Sequence, residues 1–437
     1  MRRLQTAPMR VLVTGAYGFI GAHVVAALLA AGHTVTCAVR GSRRGERFPG
    51  IAHIACNFAR DVRPGDWLPR LDGIDAVVNA AGILRETRAD RFEAIHHDAP
   101  LALAQACAAR GIRRFVQISA LGDPRDGEFI ASKHRFDAAL LALDLDALVI
   151  RPSLVYATRG SYGGTSLLRA LAALPFILPL PGQGDAAVQP IDAEDVGRGV
   201  ALAFGMTTPP RDIAEWGGPE VMTLREYLLA WRHWLGFGSV RTVPVPWPLI
   251  GLAARLGENF GSGPLGITMQ RMLRRGNVVG PMPPGTATIK HFAPRTLGDA
   301  LRRTPSLVQD RWHARLYLIA PLLRVSLAVT WIVSGMIGLG ADADTMRPVL
   351  DDTVFAPATW KPLAMLTGLA DLALGLWLLV GRAPRPALGA MLLMTLGYTL
   401  GLGLLKPMLW IEPLGGLLKN LPLLAALGAA WATAERR

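Results

Sequence analysis

The pattern of apolar and polar positions divides the chain into two parts. Up to residue 150, short apolar runs alternate with segments whose apolar positions recur at helical spacing. The pattern predicts strands at residues 10–14, 34–39, 51–55, 76–79, 115–119 and 147–150, and helices at 19–31, 89–110 and 129–143. Such alternation indicates a parallel sheet with helices on both faces. We therefore predict an α/β fold with a doubly wound parallel sheet.

Long apolar runs follow one another in the last third of the chain. They lie at about residues 316–340, 362–381, 386–405 and 413–432, and each holds at most one charged side chain. Their lengths approach the ~20 residues with which a helix crosses a bilayer. The pattern therefore predicts an all-α four-helix transmembrane bundle at residues 316–437, after a first domain at residues 1–312.

Arginines lie beside the predicted membrane helices mainly on one side of the bilayer. They precede the first run, separate the second from the third and follow the fourth: Arg302, Arg303, Arg311, Arg315, Arg382, Arg385, Arg436 and Arg437. Positively charged loops tend to remain in the cytoplasm. We therefore expect a multi-pass protein of the inner (cytoplasmic) membrane with both termini in the cytoplasm.

Three charged residues interrupt the apolar runs, namely Arg324, Asp371 and Lys419. A charge at the centre of a membrane helix costs about 2.5–3.5 kcal/mol on insertion scales, so such groups face the bundle interior and find partners. We expect Asp371 to approach Arg324 or Lys419. These charges either hold a lipid or quinone head group or make a purely structural pair, or Lys419 extends to the membrane surface from near its helix end.

Composition narrows the range of partners. Charged residues are 18% and hydrophobic residues 51% of the chain, which fits a protein with a membrane segment. The net charge is +13, but the basic residues are scattered without a Lys/Arg-rich arm, so we expect no nucleic-acid partner. Cys37, Cys56 and Cys107 match no zinc or redox spacing, and we expect no metal site.

A glycine-rich segment joins the first predicted strand to the first predicted helix. Gly15 permits a tight turn, Gly18 lets the backbone approach a pyrophosphate, and Gly21 allows the helix to pack close to the sheet. An anion at this place meets the free N–H groups and the dipole of the helix N-terminus. We assign cofactor binding to the loop residues Thr14, Gly15, Tyr17, Gly18, Phe19, Ile20 and Gly21.

The end of the second predicted strand indicates which dinucleotide binds. An acidic residue there would hold the ribose 2′-hydroxyl of NAD. The chain has Arg40 and Arg43 instead, and the planar fork of arginine suits a 2′-phosphate. We therefore predict NADP as the cofactor, with NAD as the less favoured choice; the alternative is that these arginines form an ordinary solvated loop.

With Asn79-Ala80-Ala81-Gly82 after the fourth strand, the glycine motif resembles the extended and atypical short-chain dehydrogenase/reductases. The resemblance covers about residues 10–310 and implies a Rossmann-type sheet with a small substrate lobe, mainly at residues 154–305. It also implies that Ala80, Ala81 and Gly82 line the adenine side of the cofactor. Asn57 stands where the family often has an adenine-binding aspartate.

Within that branch the chain looks closest to the group related to the 39 kDa accessory subunit of respiratory complex I. The segments that carry this likeness are Ala81-Gly82-Ile83-Leu84-Arg85-Glu86, Ile118-Ser119-Ala120-Leu121-Gly122 and Pro181-Gly182-Gln183-Gly184. The membrane part is similar to the DoxX-like four-helix family, notably at Gly415-Gly416-Leu417-Leu418-Lys419-Asn420.

The catalytic residues that the resemblance implies are incomplete. Family members use a tyrosine as proton donor, a lysine four residues later and a serine. The chain keeps Ser119 and Lys133, but Phe129 occupies the tyrosine position and cannot donate a proton. Either another residue donates (Tyr156, Tyr162 or His134), or the substrate needs no such acid, or the domain binds NADPH without turnover, where Lys133 still holds the ribose.

The sequence leaves three functions open. The first is a membrane-anchored NAD(P)H-binding oxidoreductase that acts on a lipid-soluble, quinone-like substrate at the cytoplasmic face. The second is a catalytically degenerate NADPH-binding accessory, assembly or sensor protein of a membrane complex. The third, a sugar-nucleotide epimerase or dehydratase, is weakened by Phe129, because both activities usually rely on the missing tyrosine.

The predicted substrate lobe is rich in aromatic and basic residues. Its tryptophans and a basic stretch are Trp231, Trp234, Trp247, Arg271, Arg274 and Arg275. Such residues either rest on the bilayer interface or form an ordinary core with a solvated face.

Overall fold

The computed structural model describes residues 7–41, 48–206, 211–260, 263–280, 289, 292–351, 353–381, 383–411 and 416–434. The chain forms two compact units, Met1–Ala314 and Arg315–Arg437.

The first unit contains all described strands. They are β1 (Arg10–Thr14), β2 (Thr34–Arg40), β3 (His53–Cys56), β4 (Ala76–Asn79), β5 (Arg114–Ile118), β6 (Asp146–Pro152), β7 (Val155–Tyr156), β8 (Ile177–Pro181), β9 (Ala187–Val188), β10 (Ile191–Asp192), β11 (Asp212–Trp216), β12 (Met222–Thr223) and β13 (Arg241–Val245). Seven of them form one parallel sheet in the order β11-β6-β5-β4-β1-β2-β3. The predicted doubly wound α/β fold is confirmed.

Helices separate many of the strands in the first unit and make up most of the second. In chain order they are α1 (Phe19–Ala30), α2 (Pro64–Trp67), α3 (Ala99–Ala109), α4 (Glu128–Ala142), α5 (Gly164–Ala172), α6 (Ala193–Phe204), α7 (Leu224–Trp234), α8 (Trp247–Phe260), α9 (Ile267–Arg275), α10 (Leu297–Arg303), α11 (Val308–Gly340), α12 (Ala343–Leu350), α13 (Pro357–Val380), α14 (Pro384–Leu405) and α15 (Asn420–Thr433). A π-type turn, Glu93–Asp98, precedes α3.

The sheet is buried on both faces, as its apolar strands require. On β1, Val11 and Val13 point into a core shared with α1 and α6. Leu12 between them points into a second core, which α3 and α4 share. Because successive side chains of a strand point to opposite faces, a strand covered on both sides has a continuous apolar sequence rather than an alternating one.

The helix predicted at residues 89–110 begins later than expected. The hydroxyl of Thr87 accepts hydrogen bonds from the backbone N–H groups of Ala89 (3.2 Å) and Asp90 (3.0 Å), and this turn holds the chain outside a helix. The π-type turn Glu93–Asp98 then leads into α3.

The substrate lobe has its own core around Tyr156, Tyr227 and Trp231, each at most 1% exposed. The guanidinium of Arg169 lies 4.1 Å from the centre of the Trp231 ring. Trp231 is therefore an interior residue and does not rest on a bilayer.

The basic stretch of α9 makes contacts within the first unit. Arg275 forms an ion pair with Asp126 (2.9 Å), and Arg271 donates to the carbonyl of Asp126 (3.3 Å). Arg274 lies over the ring of Trp247 at 5.8 Å. The hypothesis that these aromatic and basic residues together face the membrane is therefore wrong for Trp231, whereas 38% of the Arg275 side chain stays exposed beside Asp126.

In the described part of the chain, three helices are long and apolar enough to cross a membrane: α11, α13 and α14. The fourth predicted run contains α15, which has 14 residues and follows a short 3₁₀ turn at Leu417–Lys419. Part of that run, residues 413–415, lies outside the described residues. The prediction of membrane-spanning length is thus confirmed for three of the four runs.

Helices α11 and α13 pack with their backbones in contact. A β-carbon on Gly335 would lie 2.6 Å from the backbone nitrogen of Leu372, and one on Gly368 would lie 2.9 Å from the carbonyl oxygen of Gly335. Gly375 is similarly close to Ile332. Small residues at these positions allow the close approach that stabilises helix pairs in lipid. We call this contact the glycine seam.

The charged groups of the helical unit have other partners than expected. Asp371 accepts a hydrogen bond from the hydroxyl of Ser334 (2.8 Å). Arg324 donates to the carbonyl oxygens of Leu378 (2.8 Å) and Gly381 (2.7 Å). Among the ion pairs of the described residues, Asp371 has neither Arg324 nor Lys419 as a partner. The expected pairing is therefore wrong, because Arg324 reaches the carbonyl-rich C-terminal end of α13 instead.

Candidate functional site

The turn between β1 and α1 has room for glycine alone at three positions. Gly15 has a φ of 63°, and a β-carbon there would lie 2.5 Å from the carbonyl oxygen of Ala80. On Gly18 and Gly21 a β-carbon would lie 2.9 Å and 2.1 Å from the carbonyl oxygen of Gly15. The turn is thus pressed against the segment after β4, and its surface consists of backbone.

Helix α1 begins directly after this turn without a side-chain cap, since Gly18 is its N-cap. Uncapped N–H groups at a helix start favour an anion. Tyr17 packs against Phe48, with ring centres 6.0 Å apart, and Phe19 stacks on Tyr162 at 6.5 Å. Thr14 and Gly21 are buried at the two ends of the turn, while Gly18 is exposed between them. A glycine-lined turn of this kind fits the pyrophosphate of a dinucleotide.

A chain of buried polar side chains connects the carboxyl ends of three strands. The hydroxyl of Thr14 on β1 donates to Asn79 on β4, and the Asn79 amide donates to Gln117 on β5 at 2.7 Å. The Asn79 oxygen also accepts from the backbone N–H of Ala81. These bonds hold the segment that carries Ala80, Ala81 and Gly82. Gln117 was not predicted, although a lone polar residue inside an apolar strand is a usable signal.

Lys133 extends from α4 toward the same edge of the sheet. Its Nζ donates to the carbonyl oxygen of Ile118 at 3.2 Å, and a β-carbon on Gly82 would lie 3.4 Å from Nζ. The residue is 6% exposed. Burial lowers the pKa of Lys133 to about 8, although the charge of Asp137 acts in the opposite direction. The ammonium group is therefore close to its titration point at neutral pH.

Ser119 follows β5 and is fixed by a carboxylate that was not predicted. Its hydroxyl donates to Asp137 at 2.7 Å, and Asp137 forms an ion pair with Arg151 at 2.9 Å. A hydroxyl has one proton to donate, so in this arrangement Ser119 offers only acceptor lone pairs to a ligand.

Phe129, at the position of the family tyrosine, lies in an aromatic cluster with His96 and Phe92. The Phe129 ring is 5.6 Å from the His96 ring and 6.2 Å from the Phe92 ring, both edge to face. This packing uses the space of the phenyl group without any polar contact. The structure thus places Lys133 and Phe129 on α4, with Ser119 bonded to Asp137 of the same helix, but it provides no phenol at the position of Phe129.

His96 completes the polar surroundings of Lys133 and was not predicted. Its Nε2 accepts from the backbone N–H of Ile83 at 3.0 Å, and its Nδ1 lies 3.0 Å from the hydroxyl of Ser132. Burial, with a smaller contribution from the charge of Lys133, lowers the pKa of His96 to about 2. The ring is therefore neutral, and because the amide of Ile83 can only donate, the proton must be on Nδ1.

The three alternative proton donors occupy different environments. Tyr156 is 0% exposed in the lobe core, where burial raises the pKa of its phenol well above the usual value. His134 uses Nε2 in a hydrogen bond with the carbonyl of Ala120 at 3.0 Å. Tyr162 is 46% exposed and lies beside Phe19. Of the three, Tyr162 alone combines solvent access with a position at the cofactor loop.

The residues predicted to select the cofactor are partly engaged. Arg40 ends β2 and forms an ion pair with Asp90 at 2.9 Å, while half of its side chain is exposed. Arg43 lies outside the described residues. Asn57 shapes the turn after β3, since its side-chain oxygen accepts from the N–H of Ala59 at 3.1 Å.

Sequence comparison places these features in known families. Residues 11–213 match the NAD dependent epimerase/dehydratase family, and residues 328–428 match the DoxX-like family. The chain joins an epimerase/dehydratase-type domain of the extended short-chain dehydrogenase group to a DoxX-like domain. The first domain is an NAD(P)-binding fold of the epimerase and reductase type, and the second contains three helices that are long and apolar enough to cross a membrane.

Two curated relatives are similar to the epimerase/dehydratase-type domain. A ceramide reductase from Caulobacter vibrioides is 31% identical over 179 residues, which are 40% of this chain and 54% of that protein. The mitochondrial NADH dehydrogenase [ubiquinone] 1 alpha subcomplex subunit 9 of Arabidopsis thaliana is 28% identical over 222 residues, which are 49% of this chain and 55% of that protein. The chain thus spans about half the length of these relatives.

A solved structure supports the fold of the same domain. The crystal structure of gox2253 is 20% identical to this chain, covers 70% of it and 98% of its own length, and has a TM-score of 0.53. At this identity the likeness concerns the fold alone.

Proposed function

We propose that the protein is a membrane-anchored, NADP(H)-dependent oxidoreductase that reduces a lipid-soluble, quinone-like or other carbonyl substrate at the cytoplasmic face of the inner membrane. The observation that carries this proposal is the buried ammonium of Lys133, with its lowered pKa, next to Gly82 at the carboxyl edge of the sheet. The DoxX-like domain and the similarity to a ceramide reductase favour a substrate that dissolves in the bilayer.

The cofactor would bind to the groups that the structure collects at this edge. The loop from Thr14 to Gly21 would hold the pyrophosphate, the segment Ala80–Ala81–Gly82 would contact the adenosine side, and Arg40 would meet the 2′-phosphate. Bound NADPH would supply the hydride. Lys133 would be the nearest cation to the ribose.

In this proposal Lys133 replaces the tyrosine as proton donor. Reduction of a carbonyl adds a hydride to carbon and a proton to oxygen, and Phe129 has no proton to give. Nζ of Lys133 carries a proton at neutral pH and releases it more readily than an exposed lysine, because its pKa is lowered to about 8. His96 is neutral and holds Ile83 and Ser132, so it adds no second positive charge beside Nζ. The proton would pass from Nζ to the oxygen of the reduced carbonyl.

Arg40 provides a test of cofactor choice. We expect Arg40→Glu to weaken NADPH binding at least about tenfold, with little change for NADH, because a charge-assisted contact to the 2′-phosphate would be lost. We expect Asp90→Asn to tighten NADPH binding, because Asp90 forms an ion pair with Arg40. Calorimetric titration of the full chain in detergent with both cofactors measures these changes. Equal, weak binding of NADPH and NADH by the unchanged protein contradicts the choice of NADP.

A second candidate function is an accessory or assembly protein whose active site has degenerated. It is favoured by the purely apolar packing of Phe129 and by the similarity to a complex I subunit. In that case the domain binds NADPH without turnover and contributes to the stability of a membrane assembly.

Phe129→Tyr separates the two functions. If Lys133 already donates the proton, the unchanged protein oxidises NADPH with substrate, and the added phenol should change kcat by less than about threefold. Phe92→Tyr is the matched control, since it adds the same group to the same aromatic cluster. An inactive protein that becomes active only as Phe129→Tyr, at unchanged NADPH affinity, would favour the degenerate site.

A further inference from the structure

Helix α8 carries an apolar stripe on its exposed face. Leu249, Leu252 and Leu256 are 56%, 53% and 51% exposed, and their spacing of three and four residues places them in one row. Ala254, on the opposite face, is 0% exposed and packs inward. The helix is therefore amphipathic in the reverse sense, with a row of leucines on its outer face. We call these three leucines the leucine stripe.

Helices α8 and α9 are attached to segments that border the candidate active site. Arg85, in the segment after Gly82, donates to the carbonyl oxygen of Gly257 on α8 at 2.6 Å. A β-carbon on Gly127, the N-cap of α4, would lie 2.3 Å from the hydroxyl of Thr268 on α9. The α8–α9 pair therefore lies beside the start of α4, the helix that carries Phe129 and Lys133.

A third attachment joins α9 to the loop beside the phosphate turn. A β-carbon on Gly164, the first residue of α5, would lie 3.0 Å from the terminal methyl of Met269, and Tyr162 in the loop just before α5 stacks on Phe19. The α8–α9 pair thus touches three segments that surround the site, and the leucine stripe is on its outer surface.

The composition around the stripe fits a lipid surface. Arg255 is exposed next to the leucines. Leucines with a flanking arginine on an amphipathic helix are typical of helices that lie in the membrane interface. The same chain carries the DoxX-like helices, so a bilayer is always within reach at high effective concentration.

We propose that the leucine stripe of α8 inserts into the head-group region of the bilayer and that the α8–α9 pair forms the entrance through which a lipid-soluble substrate reaches Lys133. Insertion of the leucine stripe depends only on the exposed leucines and on the covalent link to the DoxX-like domain. The entrance role rests on the proposed oxidoreductase function.

Site-specific fluorescence tests the insertion. Leu252→Cys in the full chain is labelled with an environment-sensitive dye and reconstituted in vesicles that contain spin-labelled lipid. Cys37, Cys56 and Cys107 are buried, and burial raises the pKa of their thiols to about 11, 11 and 12, so they label slowly. Asp144→Cys is the control, because Asp144 is 82% exposed and comes just before β6, at the amino ends of the strands and away from the carboxyl ends that carry the candidate site.

We expect the dye at position 252 to shift to shorter wavelength and to be quenched by the spin-labelled lipid, while the dye at position 144 is unaffected. Equal, weak quenching at both positions overturns the proposal. A blue-shifted dye that no lipid quenches, with a signal that rises with protein density, also overturns it and indicates a second copy of the chain on the stripe.

A kinetic measurement tests the entrance role separately. In the triple variant Leu249→Ser, Leu252→Ser and Leu256→Ser, we expect KM for a quinone dissolved in the vesicles to rise about tenfold or more, with kcat for a water-soluble quinone unchanged. Equal effects on both substrates overturn the entrance role. If the unchanged protein reduces neither quinone, the proposed function fails, while the quenching result still decides insertion.

Discussion

Replacement of Lys133 by methionine is expected to slow NADPH oxidation by a carbonyl substrate by at least about 100-fold, since a positioned general acid typically contributes 10²–10⁴-fold. Methionine fills the space of the lysine stem beside Gly82 but has no proton to give. The measurement is steady-state turnover of the full chain in detergent, together with calorimetric titration of NADPH to separate kcat from cofactor binding. An unchanged kcat at saturating NADPH would show that another group supplies the proton.

The pH dependence gives an independent check on the same residue. Burial lowers the pKa of Lys133 to about 8, so the acid form dominates below that pH and is lost above it. We expect kcat for reduction to be level below pH about 8 and to fall about tenfold per pH unit above it. Lys133→Arg keeps a cation for the ribose but retains its proton, so this variant should be slow at every pH. If Lys133→Arg is as fast as the unchanged protein, Lys133 does not donate the proton and its role is limited to binding the ribose.

Gly21→Ala is expected to abolish the binding of NADP(H), with a rise in Kd of at least about 100-fold. The added β-carbon would lie 2.1 Å from the carbonyl oxygen of Gly15, so the turn must open and its backbone must leave the pyrophosphate. The readout is the increase in Tm that NADPH produces in the full chain.

Gly65→Ala is the matched control for the loop variant. Gly65 lies in the same domain at a normal φ, and no described atom is within 4 Å of its added β-carbon. The control should respond to NADPH like the unchanged protein. If the Gly21→Ala protein keeps its helical circular dichroism and still gains stability from NADPH, the cofactor binds elsewhere.

Much of the first domain could be predicted because the bounds of its strands follow from short, contiguous stretches of sequence. Strands β1 and β4 begin and end where the apolar runs predict, since both faces of the sheet are buried and the inner residues, Val11–Val13 and Ala76–Val78, are all apolar. The start of α3 could not be predicted in this way. It depends on the Thr87 hydroxyl, which competes with a helix for the backbone donors of Ala89 and Asp90.

The residues of the candidate site also differ in how far the sequence could predict them. The glycine loop is a contiguous motif whose spacing states its geometry, whereas Asp137, His96 and Gln117 acquire their roles from partners distant in sequence. Ser119 and Asp137 are 18 residues apart, and His96 and Ser132 are 36 apart. A single histidine or aspartate in a helical segment carries no sign of such a partner, so only the fold reveals it.

The charged residues Arg324 and Asp371 show why opposite charges in apolar helices do not by themselves predict an ion pair. Arg324 has a long side chain with five donors, and carbonyl groups at a helix end satisfy it as well as a carboxylate does. Asp371 finds the hydroxyl of Ser334 instead. The sign of a charge predicts that it needs a partner, but not that the partner is another charge.

The glycine seam determines which parts of the bundle are able to move. Contacts between backbones cannot adjust by a change of rotamer, so α11 and α13 must travel together as one rigid element. On α14 and α15 the situation differs at Gly389, Gly397, Gly401 and Gly428, where no described atom lies within 4 Å of an added β-carbon. Side-chain size is therefore restricted at the glycine seam and unrestricted at these four positions, so a larger residue would separate α11 from α13 but would leave the contacts at these four positions unchanged.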